Sequence, residues 1–483
     1  MAEYKLEVTT GDMKYAGTWD HIYVTLFGTE GQSERTELDN FGRDHVTGTT
    51  GTYTLSTNLS LGKLLLLKVE KDPFAILPED EWYLSKIVVT TPEGEALLFP
   101  CYRWISRGEL VELRGGRALK GFEEDHPLLI DHREKELILR KSFYHGLELK
   151  IKGLLGSAEK WESIEDMKKI FWWRKTTMSE YVTEHWKDDD FYGFQFLNGL
   201  NPMVIKRCSA LPPNFAVTEE MVKPFLKDGS SLQEEMKTSL GFDGLTEFMR
   251  RHLSETTYSS LCLPENITAR GLESIPNFYY RDDGLKLWNI INSFVKAVVE
   301  YYYPSDSEVC KDTELQNWIS EIFTHGFLGN KASGFSAGFH TVQEVIKFIT
   351  MVIFTVTGQH SAVNNGQFDY FSWPPNGPLL LRKPPPTTKG QSSMETILET
   401  LPNVGEAINF VVLVCLLSEN YSDMVPIGAY PNERFHEPAI KQMMKEFQAE
   451  LSYLSETIAT RNLQLEIPYS YLDPPLIENS IAI

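Results

Sequence analysis

The stretch Phe348–Trp373, FITMVIFTVTGQHSAVNNGQFDYFSW, decides how the longer part of the chain is read. Ile349, Ile353, Val356, His360, Val363 and Gln367 recur in it at three- or four-residue spacing. That is the period of an α-helix with one stripe turned towards a core. The apolar run FITMVIFTVTG is shorter than the roughly 20 residues a membrane-spanning helix needs, so it reads as a buried helix. His360 and Asn364 stand four residues apart and share one helical face. Two readings of that pair are open. A core histidine can bond a nearby carbonyl, or an imidazole and an amide oxygen can serve an iron that keeps open positions.

Upstream the pattern changes. KLEVTT, HIYVTLFG, TYTLST, KLLLLKVEK, LSKIVVTT, ALLFPCYRWI and LVELRG are short, alternating or β-branched, with Gly, Asn, Asp and Pro clusters between them. Several short strands at such spacing predict a β-sandwich. After Leu119 helical spacing takes over, in HPLLIDHREKELILRKSFYHG and in the segments around LKLWNIINSFVKAVVEYYY, DTELQNWISEIFTHGFL, METILETLPN and HEPAIKQMMKEFQAELSYLSETIATRNLQL. The expected architecture is multidomain: an N-terminal all-β sandwich over residues 1–116, then a mainly α-helical domain over 117–483.

At 483 residues the chain exceeds what one core organises. A net charge of −21 excludes a nucleic-acid partner, whose recognition needs clustered Lys and Arg. Docking on a membrane would then need calcium or an apolar wedge. The N-terminus, MAEYKLEVTT, reads as a strand rather than a secretory leader. The cysteines, Cys101, Cys208, Cys262, Cys310 and Cys415, lie far apart without a CxxC pair, the pattern of isolated core thiols in a reducing cytosol.

No two of the 11 histidines stand four or five residues apart, and no HExxH, P-loop or GxGxxG occurs. RDDG at Arg281–Gly284 reads as a helix start, capped by Asp282 or Asp283, in preference to a carboxylate site.

Longer motifs carry a resemblance. YVTEHWKDDDFYGFQFLNGLNPMVIKRCSALP (181–212), FYYRDDGLKLW (278–288), YYYPSDSEV (301–309), QHSAVNNGQFDY (359–370), PPPTTKG (384–390) and PYSYLDPPLIENSIAI (468–483) resemble animal lipoxygenases, nearest the epidermal-type and arachidonate branches. AGTWDHIYVTLFGTEG (16–31) and FPCYRWI (99–105) are similar to the C2-like PLAT sandwich that precedes the catalytic domain there.

The resemblance implies a non-haem iron oxidoreductase. Its substrates would be polyunsaturated fatty acids, which it oxygenates, or their hydroperoxides, which some members isomerise. In that family three histidines, an asparagine and the carboxylate of a last isoleucine hold the iron. Here His360 would be the third histidine, Asn364 the asparagine and Ile483 the carboxylate, which is expected inside the helical domain beside the other two. Gln367, one turn past Asn364, reads either as a hydrogen-bonding neighbour of that site or as a surface glutamine.

The family's first two histidines belong to a WLLAK…HE…TH segment that this sequence lacks. The omission falls between Leu240 and Gly241, and a shorter one near Gly146. Loss of two imidazoles and of channel wall implies impaired oxygenation. The alternative is a catalytically inactive remnant that binds lipid or a partner.

For the PLAT sandwich the resemblance implies calcium at Gly17, Thr18, Asp44 and Asp80, with Tyr15, Leu77 and Trp104 as membrane contacts. Trp19, Arg43 and Val46 stand where relatives can have oxygen ligands, so weak or dispensable calcium is expected. The implied location is cytoplasmic with peripheral membrane association.

Overall fold

A computed structural model describes residues 1–40, 42–74, 80–116, 119–145, 160–170, 176–210, 256–377, 382–383, 390, 392–418, 424–431, 435 and 437–479. The chain falls into two compact units, residues 1–150 with 430–442 and residues 151–429 with 443–483.

The first unit is built on two antiparallel sheets. One has the order β5-β1-β7-β8, from Thr50–Thr57, Ala2–Thr10, Trp82–Thr90 and Ala96–Ile105. The other has the order β3-β2-β6-β9, from Gly31–Gln32, His21–Gly28, Leu64–Asp72 and Leu110–Arg114, with β4 (Thr36–Glu37) also paired to β2. Side chains on a strand alternate between faces. Tyr4, Leu6 and Val8 of β1, Ile22, Val24 and Leu26 of β2, and Trp82, Leu84, Ile87 and Val89 of β7 thereby meet in one core. Two buried polar ends are paired: the Trp82 indole donates to Thr10 Oγ1 at 3.0 Å, and the Tyr4 hydroxyl accepts the Leu61 N–H at 2.8 Å. A helix, α1 (Pro127–His145), packs against β6. His132 Nε2 lies 3.0 Å from the Glu112 carbonyl oxygen, and Arg133 pairs with Glu124 at 2.6 Å.

The second unit is helical. Its described helices include α2 (Ile164–Ile170), α3 (Thr177–His185), α4 (Asp189–Asn198), α5 (Tyr258–Leu261), α6 (Leu263–Arg270), α7 (Tyr279–Tyr302), α8 (Asp306–Lys311), α9 (Thr313–Glu321), α10 (Val342–Phe354), α11 (His360–Phe371), α12 (Met394–Thr400), α13 (Val404–Leu417) and α14 (Pro438–Asn462). Thr341 starts α10 with a capping box shared with Glu344. A wide π-helical turn, Thr355–Gln359, joins α10 to α11, so the two run as one helix with a bulge. α7 lies along α10, and α11 along α13. Gly358 lets α7 approach: a Cβ there would stand 2.7 Å from Leu287 Cδ2.

Three expectations are corrected by the structure. RDDG does not cap a helix. It lies inside the first turns of α7, whose N-cap is Phe278. Asp283 is instead fully buried and paired with Arg461 at 2.6 Å, because the face of α7 that carries it turns inward. The row Ile349, Ile353, Val356, His360, Val363 and Gln367 is half-buried rather than the deep stripe. The deep face is the neighbouring one, with Val345, Met351, Phe354, Thr357, Gly358 and Ser361. Of the cysteines, Cys101 and Cys262 are buried, Cys208 and Cys310 are exposed, and none is in a disulfide. No helix among the described residues is long and apolar enough to cross a membrane.

Candidate functional site

The wide turn delivers His360 and Asn364 to the half-buried side of α11. Their side chains meet: Asn364 Nδ2 lies 2.7 Å from His360 Nε2. Gln367 Nε2 donates to Asn364 Oδ1 at 3.2 Å, so the expected glutamine contact is present. The carbonyl of Asn364 accepts the Ser418 hydroxyl at 2.5 Å, and Ser418 Oγ also accepts the Phe368 N–H at 3.1 Å. Those bonds fix α11 against the C-terminal end of α13. Burial pushes the pKa of His360 down, which keeps its imidazole neutral and its ring nitrogen able to accept.

A half-turn of the Asn364 amide would present Oδ1 beside Nε2 and break the bond from Gln367, which a matching half-turn of the Gln367 amide remakes with Asn364 Nδ2 donating to Oε1; His360 and Asn364 would then fit an iron as neighbouring donors. Among the described residues no group of three His, Cys, Asp or Glu side chains gathers around a common point. Ile483 lies outside the described residues, as do Gly146, Leu240 and Gly241, where the omissions were placed.

The C-terminal segment nevertheless runs onto α11. Residues 477–479 pair with 425–427: Ile427 N donates to the Ile477 carbonyl at 2.8 Å and Asn479 N to the Val425 carbonyl at 2.8 Å. Ser361, Asn365 and Asp369 of α11 hold the residues just before. Sequence reasoning missed these three.

In the sandwich, Thr18 and Asp80 are brought together and Asp44 is held elsewhere. Asp80 Oδ1 accepts the Thr18 hydroxyl at 2.9 Å and Oδ2 the Trp19 N–H at 2.8 Å. Gly17 N donates to Thr47 Oγ1 at 3.0 Å. Asp44 accepts the Tyr53 hydroxyl at 2.8 Å and the Asn40 N–H at 2.8 Å. A cation is already built in: the buried ammonium of Lys71 stands 2.9 Å from Asp20 and 3.8 Å from Asp80, and Arg107 also grips Asp20 at 2.7 Å. The sequence carried a signal for Lys71, since it continues the inward row Leu67, Val69 on β6.

Aromatic side chains stand out around these loops. Tyr15 is 76% exposed and adopts a left-handed φ of 68°, Trp104 is 37% exposed, and Trp19 carries Arg43 over its ring at 4.1 Å. Leu77 lies outside the described residues.

Comparison with known proteins accords with this geometry. The lipoxygenase family model matches residues 259–468, and the PLAT/LH2 domain model residues 4–112. The chain belongs to the lipoxygenase family. Hydroperoxide isomerase ALOXE3 of Rattus norvegicus is 32% identical, with 100% of each chain covered. Polyunsaturated fatty acid lipoxygenase ALOX8 of Mus musculus is 32% identical, and ALOX15B of Homo sapiens 31%, each again over 100% of both chains. The alignment to the first of these is 711 positions long against 483 residues here, so a large share of it faces gaps in this chain.

Two solved structures share the fold at 23% identity and a TM-score of 0.83, each covering 100% of both chains: a lipoxygenase variant in complex with arachidonate and a coral 8R-lipoxygenase described as calcium-activated through a C2-like domain. The family works with non-haem iron.

Proposed function

We propose that this chain binds polyunsaturated fatty acids or their hydroperoxides on its helical unit and is impaired in oxygenating them. The observation that carries the reading is the donor set. His360 and Asn364 converge at 2.7 Å, yet the sequence has no two histidines at helical spacing to complete the family's iron shell. Long gaps in the alignment with relatives support the same point. The carboxylate of Ile483 is the third donor in this reading, and Gln367 orients the Asn364 amide.

Iron, when bound, supplies the one-electron chemistry that removes a hydrogen from a pentadiene carbon. The residues of this chain then contribute neutral imidazole, amide and carboxylate donors, and the apolar row Ile349, Ile353 and Val356 offers a surface for an acyl chain. Three donors suffice for some iron enzymes, but loosened positioning alone can cost orders of magnitude in rate.

The sandwich is read as a peripheral membrane module at the cytoplasmic face, with Tyr15, Trp104 and Leu77 as its apolar contacts. Calcium requires about six to eight oxygens. Of Gly17, Thr18, Asp44 and Asp80, the two carboxylates are already engaged: Asp44 holds Tyr53 and Asn40, and Asp80 holds Thr18, Trp19 and Lys71. Calcium therefore assists weakly or not at all.

The test is to express the 483-residue chain, measure iron per chain, and follow conjugated-diene absorbance with arachidonate and linoleate. Substoichiometric iron with negligible diene formation is expected. Near-stoichiometric iron with rapid diene formation would overturn the reading.

A further inference from the structure

Ser361, Asn365 and Asp369 follow each other at four-residue spacing on α11 and so form a row of their own. Each stands one residue after a member of the row His360, Asn364 and Phe368. Successive residues on an α-helix are about 100° apart, so the polar pair His360 and Asn364 and the polar row Ser361, Asn365 and Asp369 run side by side.

The second row is occupied by the chain itself. Ser361 Oγ donates to the Tyr471 carbonyl at 3.0 Å and lies 3.4 Å from the Leu476 carbonyl oxygen. Asn365 Nδ2 donates to Ser361 Oγ at 2.8 Å and reaches the Leu476 carbonyl oxygen at 3.5 Å. Asp369 Oδ2 accepts the Tyr471 hydroxyl at 2.5 Å, while its Oδ1 accepts the Thr176 hydroxyl at 2.6 Å. Burial pushes the Tyr471 phenol well above its ordinary pKa, so it stays a donor.

The segment is held again just before it, where Asn462 exchanges bonds with the backbone of Tyr469 at 2.9 and 3.2 Å, and once within it, where Ser455 donates to Asp473 at 2.6 Å. Past Leu476 the pairing of 477–479 with 425–427 takes over. The α11 row adds the grip at Tyr471 and Leu476, the two ends of the segment.

We propose that Ser361, Asn365 and Asp369 are positioning residues that clamp Tyr471–Leu476 onto the helix carrying His360 and Asn364, and that metal uptake at that pair depends on the clamp. The second half rests on the reading of His360 and Asn364 as iron donors. The first half does not. A helix that grips the C-terminal segment with one row and offers donors with the next sets where that segment leads. Asp369 takes two hydroxyl donors at once, which a carboxylate does with two oxygens and an aliphatic side chain cannot.

The experiment compares the full chain with D369L, D369N and the double variant S361A/N365L by hydrogen exchange of residues 471–479 and by iron taken up per chain. Exchange of α10 serves as the internal measure of fold. Loss of a charge-assisted bond in D369L should speed exchange of 471–479 about tenfold or more while α10 stays protected, and iron per chain should fall several-fold. D369N keeps an oxygen for the Tyr471 hydroxyl and should restore both. Unchanged protection of 471–479 in D369L and in S361A/N365L would overturn the clamp. Lost protection with undiminished iron would overturn its link to the metal pair. A parent chain that takes up no iron defeats the metal reading alone, and the exchange comparison still decides the clamp.

Discussion

The ammonium of Lys71 lies 2.9 Å from the carboxylate of Asp20, and both side chains are almost wholly buried. Asp20 takes further bonds from Arg107 at 2.7 Å and from the Phe74 N–H at 2.8 Å. One buried carboxylate thus ties together the loops that begin β2, follow β6 and follow β8. Removing one partner of a buried pair leaves an uncompensated charge, which costs roughly 3–5 kcal/mol. K71M should lower the sandwich's unfolding free energy at the lower end of that range, because Arg107 remains. Urea unfolding of the full chain followed by a probe on the sandwich checks it.

The same carboxylate makes a pH prediction. Burial works to raise the pKa of Asp20, yet Arg107, the Phe74 N–H and Lys71 outweigh it and hold the group well below the usual carboxylate range. A group depressed in the folded state adds stability that is present above its unfolded pKa of about 3.9 and is lost as pH falls towards the folded value. The urea midpoint of the sandwich should therefore change little from Asp20 between neutral pH and pH ~5, then fall below about pH 4. In D20N that acid-side fall should be smaller.

His360 titrates with the opposite sense of burial. Its folded pKa is lowered, while the unfolded chain binds a proton near pH 6.5. The unfolded state then holds more protons in that window, so this group's contribution to stability is lost as pH drops through about 6.5. Metal uptake needs the neutral ring. Uptake of Co²⁺ or Fe²⁺ by the full chain should hold steady as pH is lowered to about 6.5 and should fall only further below it. H360A should abolish uptake at every pH. A parent profile half-lost at the ordinary histidine value would contradict this.

Arg461 and Asp283 offer a test in the helical unit. Arg461 Nη1 donates to both carboxylate oxygens at 2.6 and 2.7 Å, and Nη2 donates to the Tyr469 carbonyl at 2.8 Å. Burial raises the pKa of Asp283 despite that partner. R461M should cost about 3–5 kcal/mol, since it strands the carboxylate. The double variant R461M/D283L should recover much of the loss. Chemical denaturation of both variants provides the measurement.

On the sandwich, Y15A and W104A should each weaken sedimentation with phosphatidylcholine vesicles several-fold, from about 1–2 kcal/mol of apolar contact per aromatic ring. Exchanging calcium for a chelator should change the bound fraction much less than either substitution. A calcium effect larger than the loss in Y15A would show that the ion, not the aromatic side chains, governs docking.

Much of this was legible in the sequence. HIYVTLFG and ALLFPCYRWI read as strands and are β2 and β8 from end to end, because alternation and punctuation by Gly and Pro are local signals. The pairing of His360 with Asn364 was legible for a similar reason, since four residues on one helix need no tertiary information. The depth of the stripe was not. A single row of apolar residues fixes a period, but two adjacent faces of α10 are both apolar, and only α7 packed alongside shows which is deep. RDDG failed because the partner of Asp283 is Arg461, in a distant part of the sequence. Ser361 and Asn365 look like ordinary small polar residues of a helix until the segment at Tyr471–Leu476 lies against them.

The wide turn at Thr355–Gln359 sets the phase of everything after it. Wound as an ordinary helix, with every residue kept, the same sequence would put Gln359 and Val363 where His360 and Asn364 now stand. His360, Asn364 and Phe368 would then meet Tyr471 and Leu476 in place of Ser361, Asn365 and Asp369. Deleting one residue from the turn, Val356 for instance, would instead let it tighten with both faces of α11 left in phase. One extra residue in the turn thus assigns the imidazole to one face and the grip on the C-terminal segment to the next.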